Sequence, residues 1–419
     1  MKKVFNQIVD NPINIKIYFL PWLIVLSLLL RLLVVYFTKD TYIENEWNIL
    51  FDNLVKYKSF SFYNFDNQLI PSVIVPPLYT FFLYLIKIIT SFEGSNLLYA
   101  ILFIQIILST YCVYLFYEIN QNFFSKKLSL VNSIIFSFFP LNVYACGQIS
   151  SINLQIVLSL LFLKFIFLLT RKKSNKNIII FSLVSGLLVL TRGEFIFIFS
   201  LFLLFIIWQK KIKLIHMIKI VMIVILVISP YIIRNYIHFN QIFIVKSFGY
   251  NLWKGNNELS TVEGYENLSN SQFAYLSLKI NNLEKNKYYE INRDKIFLDE
   301  AFNNLREDSS RYIKLFFNKL FSYYFIDTNS RYPNYYNFFH IFPIILLSLI
   351  SIPGIFIFYK KNKFENRCIG LYLFINLIIF SIFFILPRYK LAILPIQIIL
   401  ATYSIDYIIK KIGKIFNNA

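Results

Sequence analysis

Charge is scarce in this chain. Only 15% of its 419 residues are Asp, Glu, Lys or Arg, against roughly a quarter in a soluble domain, so an ordinary water-soluble globule is excluded. Cysteine is scarcer still. Cys112, Cys146 and Cys368 lie in or at the ends of separate apolar segments, so neither a disulfide framework nor a cysteine metal site is expected. The histidines, His216, His238 and His340, are scattered without ligand spacing, and no metal and no cofactor are expected. The Walker, GxGxxG, GxSxG and HExxH patterns are all absent, so nothing points to nucleotide binding. The first apolar run, Ile17–Phe37, is too long for the core of a signal peptide, and no small-x-small site follows it. It reads as a retained helix. There is no internal repeat and no low-complexity linker.

What the chain has in quantity is apolar sequence, 57% of its residues, in continuous runs of about twenty, the length that crosses a bilayer as a helix. Barrel strands are short and alternating, so continuous runs argue for helices. The fold class is therefore an all-α polytopic membrane protein, a single membrane domain over 1–419. Spanning helices are expected at 17–37, 98–118, 129–146, 152–170, 178–191, 194–208, 217–233, 339–359, 368–386 and 389–409.

One further apolar run, 73–90, decides the topology. The net charge of +20 does not indicate nucleic acid, because the basic residues sit in short loops between apolar runs. Lys2, Lys3 and Lys16 place the N-terminus in the cytoplasm. If 73–90 stays on one side, Lys126-Lys127, Arg171-Lys172-Lys173, Lys210-Lys211-Lys213, Lys360-Lys361-Lys363 and the tail lysines all lie inside. If it crosses, those four loop clusters lie outside, against the positive-inside rule. Pro76-Pro77 and Lys87 also weaken 73–90 as a span. The expectation is ten spans with both termini cytoplasmic and 73–90 juxtamembrane or re-entrant. The outer side then holds residues 38–97, the turns near 144–152, Arg192 and Arg388, and the long loop 234–338. Within that loop, 283–325 mixes charged and aromatic residues, a pattern for amphipathic helices lying on the membrane. A bacterial inner (plasma) membrane with a periplasmic or outer-face site is expected.

Chemistry is sought first where the first helix leaves the bilayer. Glu44 and Glu46 flank Asn45 beside Trp47. They are either solvated loop carboxylates or include a general base whose pKa is raised near the membrane surface; Asp52 and Asp66 are alternatives in the same loop. Arg192, in Leu190-Thr191-Arg192-Gly193-Glu194, interrupts an apolar hairpin. It either pairs with Glu194 or snorkels to the interface, or it binds an anion. Arg388, in Pro387-Arg388-Tyr389-Lys390, is an interface anchor or a phosphate ligand, since guanidinium matches phosphate oxygens bidentately. Arg234-Asn235-Tyr236 follows Pro230 where a helix emerges. Gly249 to Asn257 suits a sugar-cradling turn or an ordinary one. Arg31, in the outer half of the first helix, either snorkels or adds positive charge beneath the acid loop. An outside enzyme lacks nucleotide-activated donors, and a sugar on a lipid phosphate meets that need. Direct displacement of the phosphate inverts the anomeric centre.

These motifs, in order, resemble the GT-C membrane glycosyltransferases of the family 39 type, which include the protein O-mannosyltransferases and the aminoarabinose transferase acting on lipid A. The resemblance runs through Glu44-Asn45-Glu46-Trp47, Pro76-Pro77-Leu78-Tyr79, Leu190 to Glu194, Pro230 to Tyr236, Gly249 to Asn257 and Arg388-Tyr389-Lys390. It implies a GT-C-like bundle with juxtamembrane helices in the first outer loop and a polyprenyl-phosphate sugar donor. Glu44 best fits the family's acid, with Glu46 close behind. Arg192, Arg388 and Arg234 are the candidates for the donor phosphate, and Trp47, Tyr79, Asn235 and Asn256 for substrate contact. The family's acid is usually Asp, and Gly193 stands where proline is common. The expected activity is hexosyl or pentosyl transfer to a lipid, glycan or protein acceptor, with membrane lipids as surroundings and no nucleic-acid partner. The alternatives are a transporter or flippase of lipid-linked saccharides, which typically shows inverted repeats and broken helices not seen in this sequence, and a glycan polymerase.

Overall fold

The structure is a computed structural model that describes residues 19–43, 45–361 and 363–418. Glu44, Lys2, Lys3 and Lys16 lie outside the described residues, as do the side chains of Asn45 and of 414–418. The protein is an integral membrane protein of α-helices. Among the described residues six helices are long and apolar enough to cross a bilayer: α1 (Phe19–Thr38), α4 (Gly94–Asn120), α7 (Ile152–Arg171), α10 (Leu214–Phe239), α15 (Phe338–Lys360) and α16 (Phe364–Ile382). The remaining expected spans correspond to α5 (Lys126–Phe138) with α6 (Pro140–Ala145), α8 (Asn175–Thr191), α9 (Phe195–Trp208) and α17 (Leu394–Asn418). The expected helix 129–146 is broken at Phe139. Pro140 pushes its predecessor out of the α region, and Phe139 is extended (φ −64°, ψ 120°) with Pro140 opening α6.

Helix α1 shows how composition sorts its faces. Its buried residues, Leu23, Ser27, Arg31 and Val35, recur every four positions, one row of a helix surface. Leu26, Leu29, Leu33 and Phe37 are exposed, as suits a lipid-facing stripe. Arg31 does not snorkel. It is fully buried and cross-links three helices, with Nε donating to Ser109 Oγ (2.8 Å) and a terminal nitrogen to Ser137 O (3.2 Å). Close packing elsewhere depends on small residues. Ser348, Ser351 and Gly354 of α15 are buried, and a Cβ at Gly354 would overlap the Leu400 carbonyl of α17.

The run 73–90 does not cross. Its helix is α3 (Leu78–Thr90). Lys39, just after α1, donates to the phenol of Tyr99 in the second turn of α4 (3.2 Å). The chain therefore leaves α1 and enters α4 on the same face. Between them lie α2 (Asn45–Tyr57), a hairpin of β1 (Ser61–Phe65) and β2 (Gln68–Pro71), and α3.

The interhelical segments gather on two faces. On one, Ile149 N donates to Asp40 Oδ2 (2.7 Å), Lys246 N donates to Val73 O (2.8 Å), and Ile385 N donates to Val262 O (2.9 Å). This acid-bearing face unites 38–97, 144–152, 234–338 and 383–393. On the other, Arg171 pairs with Glu365, Arg367 donates to Gln209 (2.6 Å), and Lys361 lies over the Tyr403 ring (4.5 Å). The 234–338 segment folds into α11 (Phe248–Gly255), α12 (Ala274–Asn281), α13 (Tyr289–Glu307) and α14 (Ser309–Tyr324).

Candidate functional site

Glu46 sits in the first turn of α2, where the helix dipole favours a carboxylate. One position on, Trp47 meets Tyr79 edge to face (5.2 Å between centroids). Tyr79 is 1% exposed, and its hydroxyl donates to Gln105 of α4 (3.1 Å). The two aromatics proposed from separate motifs are thus brought together, and they anchor α2 against α3 and α4. Asp40, which the sequence reading passed over, fixes the exit of α1: its two oxygens accept from Ile149 N and from Gln148 Nε2 (3.2 Å).

Arg192 and Arg388 are 196 positions apart and converge on one ring. The Arg192 guanidinium carbon lies 4.7 Å from the centroid of Tyr389, and that of Arg388 lies 6.0 Å from it. Arg192 makes a long contact with Glu194 (3.4 Å), and its buried Nε has no partner among the described residues. Tyr389 is itself held, since its carbonyl accepts from Tyr323 (3.2 Å). The neighbouring Lys390 is buried and donates to the carbonyls of Tyr324 (2.6 Å) and Phe325. A cation on the last carbonyls of a helix stabilises that end, so Lys390 fastens α14 to the segment that carries both Arg388 and Tyr389.

The other candidates have different employment. Arg234 donates to Ser72 O (2.8 Å), Phe60 O (3.1 Å) and Asn235 Oδ1 (2.8 Å), which clamps the hairpin loop to α10. Asn235 is fully buried, and its amide donates to Phe243 O and Ile244 O. Asn256 donates to Leu252 O and Ile382 O and accepts from Lys319. Asn235 and Asn256 thus spend their amide hydrogens on backbone carbonyls, and Arg234 commits three of its five N–H donors to holding these segments together. Sequence position shows a polar residue beside a turn. It does not show that a carbonyl far along the chain consumes it.

The 234–338 segment carries a polar cluster in which the Tyr250 phenol donates to Glu266 (2.7 Å). Burial holds the Tyr250 phenol far above its usual range. The charge and hydrogen bond of Glu266 add to this, Arg293 opposes it, and Glu46 contributes a smaller push upward. Glu266 also accepts from Lys254. Its charge reaches Tyr332, whose phenol is raised by burial and lowered in part by Arg388.

Between the end of α14, the start of α15 and residues 385–390 lies a small cavity of about 20 Å³, room for roughly one water. Glu263, Asp327, Tyr335, His340 and Lys390 are among its lining residues; the first two carboxylates and the imidazole were not singled out from sequence. Among the described residues no three His, Cys, Asp or Glu side chains form a group able to hold a metal. A larger open groove of about 560 Å³ is lined by Phe92, Tyr99, Phe103 and Ile104.

Comparison with known proteins follows this geometry. Residues 75–233 match the family described as dolichyl-phosphate-mannose-protein mannosyltransferase. No curated protein sequence matches the chain. Among solved structures, it is similar to the archaeal oligosaccharyltransferase AglB from Archaeoglobus fulgidus in complex with an inhibitory peptide and a dolichol-phosphate. That match has a TM-score of 0.57 at 12% identity, over 96% of this chain and 52% of that one. The Archaeoglobus fulgidus oligosaccharyltransferase tethered to an acceptor peptide matches with a TM-score of 0.56 at 13% identity, over 95% and 50%. The chain spans about half the length of these structures. What these likenesses establish is architecture: the chain has a GT-C membrane fold.

Proposed function

We propose that the protein is an inverting glycosyltransferase that moves a hexosyl or pentosyl group from a polyprenyl-phosphate donor to a lipid, glycan or protein acceptor. The observation that carries this reading is the convergence of Arg192, with its open Nε donor, and Arg388 on Tyr389, on the same face as the acid-bearing loop. The two guanidiniums bind the donor phosphate in bidentate fashion. Glu44 or Glu46 takes the proton of the acceptor hydroxyl as its oxygen attacks the anomeric carbon. The bond from that carbon to the phosphate oxygen breaks, and the polyprenyl phosphate leaves with the bonding pair, its charge balanced by the arginines. The fold likeness supports the same reading, since the dolichol-phosphate complex is of a protein with this architecture.

We place this chemistry at the outer face of a bacterial inner membrane, with both termini cytoplasmic. The clusters Lys126-Lys127, Arg171 to Lys173, Lys210 to Lys213 and Lys360 to Lys363 border helices at the face opposite the acid, which supports that orientation. A reporter fused after Gly94 tests it; a cytoplasmic signal there overturns it. The activity is tested by transfer in nanodiscs from a panel of radiolabelled polyprenyl-phosphate sugars to a membrane-extract acceptor, comparing wild type with Glu44→Gln and Glu46→Gln. Transfer lost in one variant alone identifies the base. Absence of transfer by wild type with every donor, alongside donor translocation, refutes the proposal in favour of a flippase.

A further inference from the structure

Helix α14 has two unlike faces. Tyr312, Leu315, Lys319 and Tyr323 are buried. Ile313, Phe317 and Phe321, four residues apart, are 58%, 60% and 52% exposed. A row of large apolar side chains open to water is costly, so something apolar covers it.

The packing of α14 says what. The helix lies along the spanning helix α16, and its C-terminal end is joined to membrane helices as well as to the Tyr389–Lys390 segment. The carbonyl of Tyr324 accepts from Ser348 Oγ (2.8 Å) and Gln397 Nε2 (2.9 Å), and its hydroxyl shares a hydrogen bond with Ser351 (2.6 Å). Tyr323 packs on Phe380 of α16 (5.4 Å). Ser348 is ten residues past the first residue of α15, about 15 Å along that helix. The end of α14 therefore sits well below the start of α15, at a depth where neighbouring exposed side chains, Leu346 and Leu349 of α15, are apolar. In its first two turns α14 carries Arg311 and Lys314, and it has no carboxylate anywhere along its length. Helix α13 is different: it is rich in charge and packs on α11.

We propose that α14 dips into the bilayer beside α16, its Ile313–Phe317–Phe321 row in contact with lipid acyl chains and its Arg311 and Lys314 at the level of the phosphate headgroups. The occupant is lipid because the row continues the apolar exterior of the spanning helices and because the basic end suits anionic headgroups. Through Tyr323 and Lys390 the same helix is fastened to Tyr389, so bilayer contact helps set where the arginine pair sits.

The test is spin-label accessibility in nanodiscs of the full chain. Ile313→Cys, Phe317→Cys and Phe321→Cys are labelled singly; the native cysteines are buried, and unlabelled wild type checks that they stay silent. Phe356→Cys, on the exposed side of α15, is the lipid control, and Asn267→Cys is the water control. The expected result is preferential exposure to oxygen over a water-soluble nickel chelate at all three α14 positions, deepening from 313 to 321. Preferential exposure to the chelate, as at 267, overturns the proposal. Protection from both reagents overturns it too, because that marks a protein partner.

Discussion

Glu290 is a buried carboxyl that joins two loops, and its docking should weaken as pH rises. It lies in the first turn of α13 and is 2% exposed. Its Oε2 accepts from Val73 N (2.6 Å) and Ser72 Oγ (3.1 Å), while Oε1 has no partner among the described residues. Tyr231 and Arg234 face it from α10, Arg293 from its own helix, and Tyr63 from the hairpin. Burial raises its pKa to about 7, outweighing the two hydrogen bonds and the nearby arginines that lower it. Below its ordinary value of 4.5, the carboxyl is protonated whether α13 is docked or released, and docking is at full strength. Between 4.5 and 7 only the released form ionises, so docking weakens steadily. Above 7 both forms are ionised and the dependence flattens. The difference of 7 − 4.5 = 2.5 units, at 1.36 kcal/mol per unit, is about 3 kcal/mol, or a factor of a few hundred in the opening equilibrium. Hydrogen exchange at the Val73 amide, corrected for intrinsic rates, reads that equilibrium directly. Protection should fall by about two orders of magnitude from pH 4.5 to 7.5 in wild type. In Glu290→Gln, which keeps an acceptor oxygen but cannot ionise, it should stay level. A flat wild-type profile, or an unchanged slope in the variant, refutes the reasoning.

Two further outcomes follow from the packing and the site. Gly354→Ala places a Cβ against the Leu400 carbonyl; backbone offers no rotamer to yield, so α15 and α17 must part at a cost of about 1–3 kcal/mol or more, and thermal unfolding in detergent should fall by several degrees, an unchanged midpoint counting against the close contact. Tyr389→Ala removes the ring on which Arg192 and Arg388 converge, each contact worth about 0.5–2 kcal/mol; titration with polyprenyl phosphate should show at least about fivefold weaker binding, with Tyr389→Phe retaining most of it, and equal affinity in the Ala variant would separate the ring from phosphate recognition.

The membrane architecture was legible because it is written in composition. Long apolar runs give the spanning helices, and basic clusters placed only in certain loops sorted those loops into the two faces that the structure assembles. The non-crossing run 73–90 could be read from Pro76-Pro77 and Lys87, and the chain does enter α4 beside the point where it leaves α1, Lys39 donating to Tyr99. The break at Phe139 was legible too, in Pro140, but hydropathy alone ran past it. The site was less legible, for a physical reason. How an arginine is engaged depends on groups far away in sequence: Arg192 and Arg234 look alike in the chain, yet the second ties down the carbonyls of Phe60 and Ser72 while the first lies over the Tyr389 ring. Lys390 reads as a surface lysine until the end of α14, 66 residues earlier, supplies its acceptors. Glu290 finds its partners 217 and 218 positions back. No local signal marks such residues.

These long-range ties have a consequence for how the proposed site would be regulated or broken. The acid-bearing loop and the arginine pair touch through a common intermediary, the 234–338 segment. At one end Arg234 and Glu290 hold residues 60–73. At the other, Lys390 and Tyr323 hold the Tyr389 segment, and Gly255 presses so closely on Phe383 that a Cβ would overlap its carbonyl. Lys319 secures the middle by donating to Gly255 O (2.7 Å) and Asn256 Oδ1 (3.0 Å). A shift in this segment therefore changes the separation of carboxylate and guanidinium groups without touching either. Transfer chemistry depends steeply on that separation, since a displacement of about 1 Å can cost two orders of magnitude in rate. On the proposed reading, substitutions at Lys319 or Gly255 should lower turnover more than donor affinity, whereas substitutions at Arg192 or Arg388 should lower affinity first.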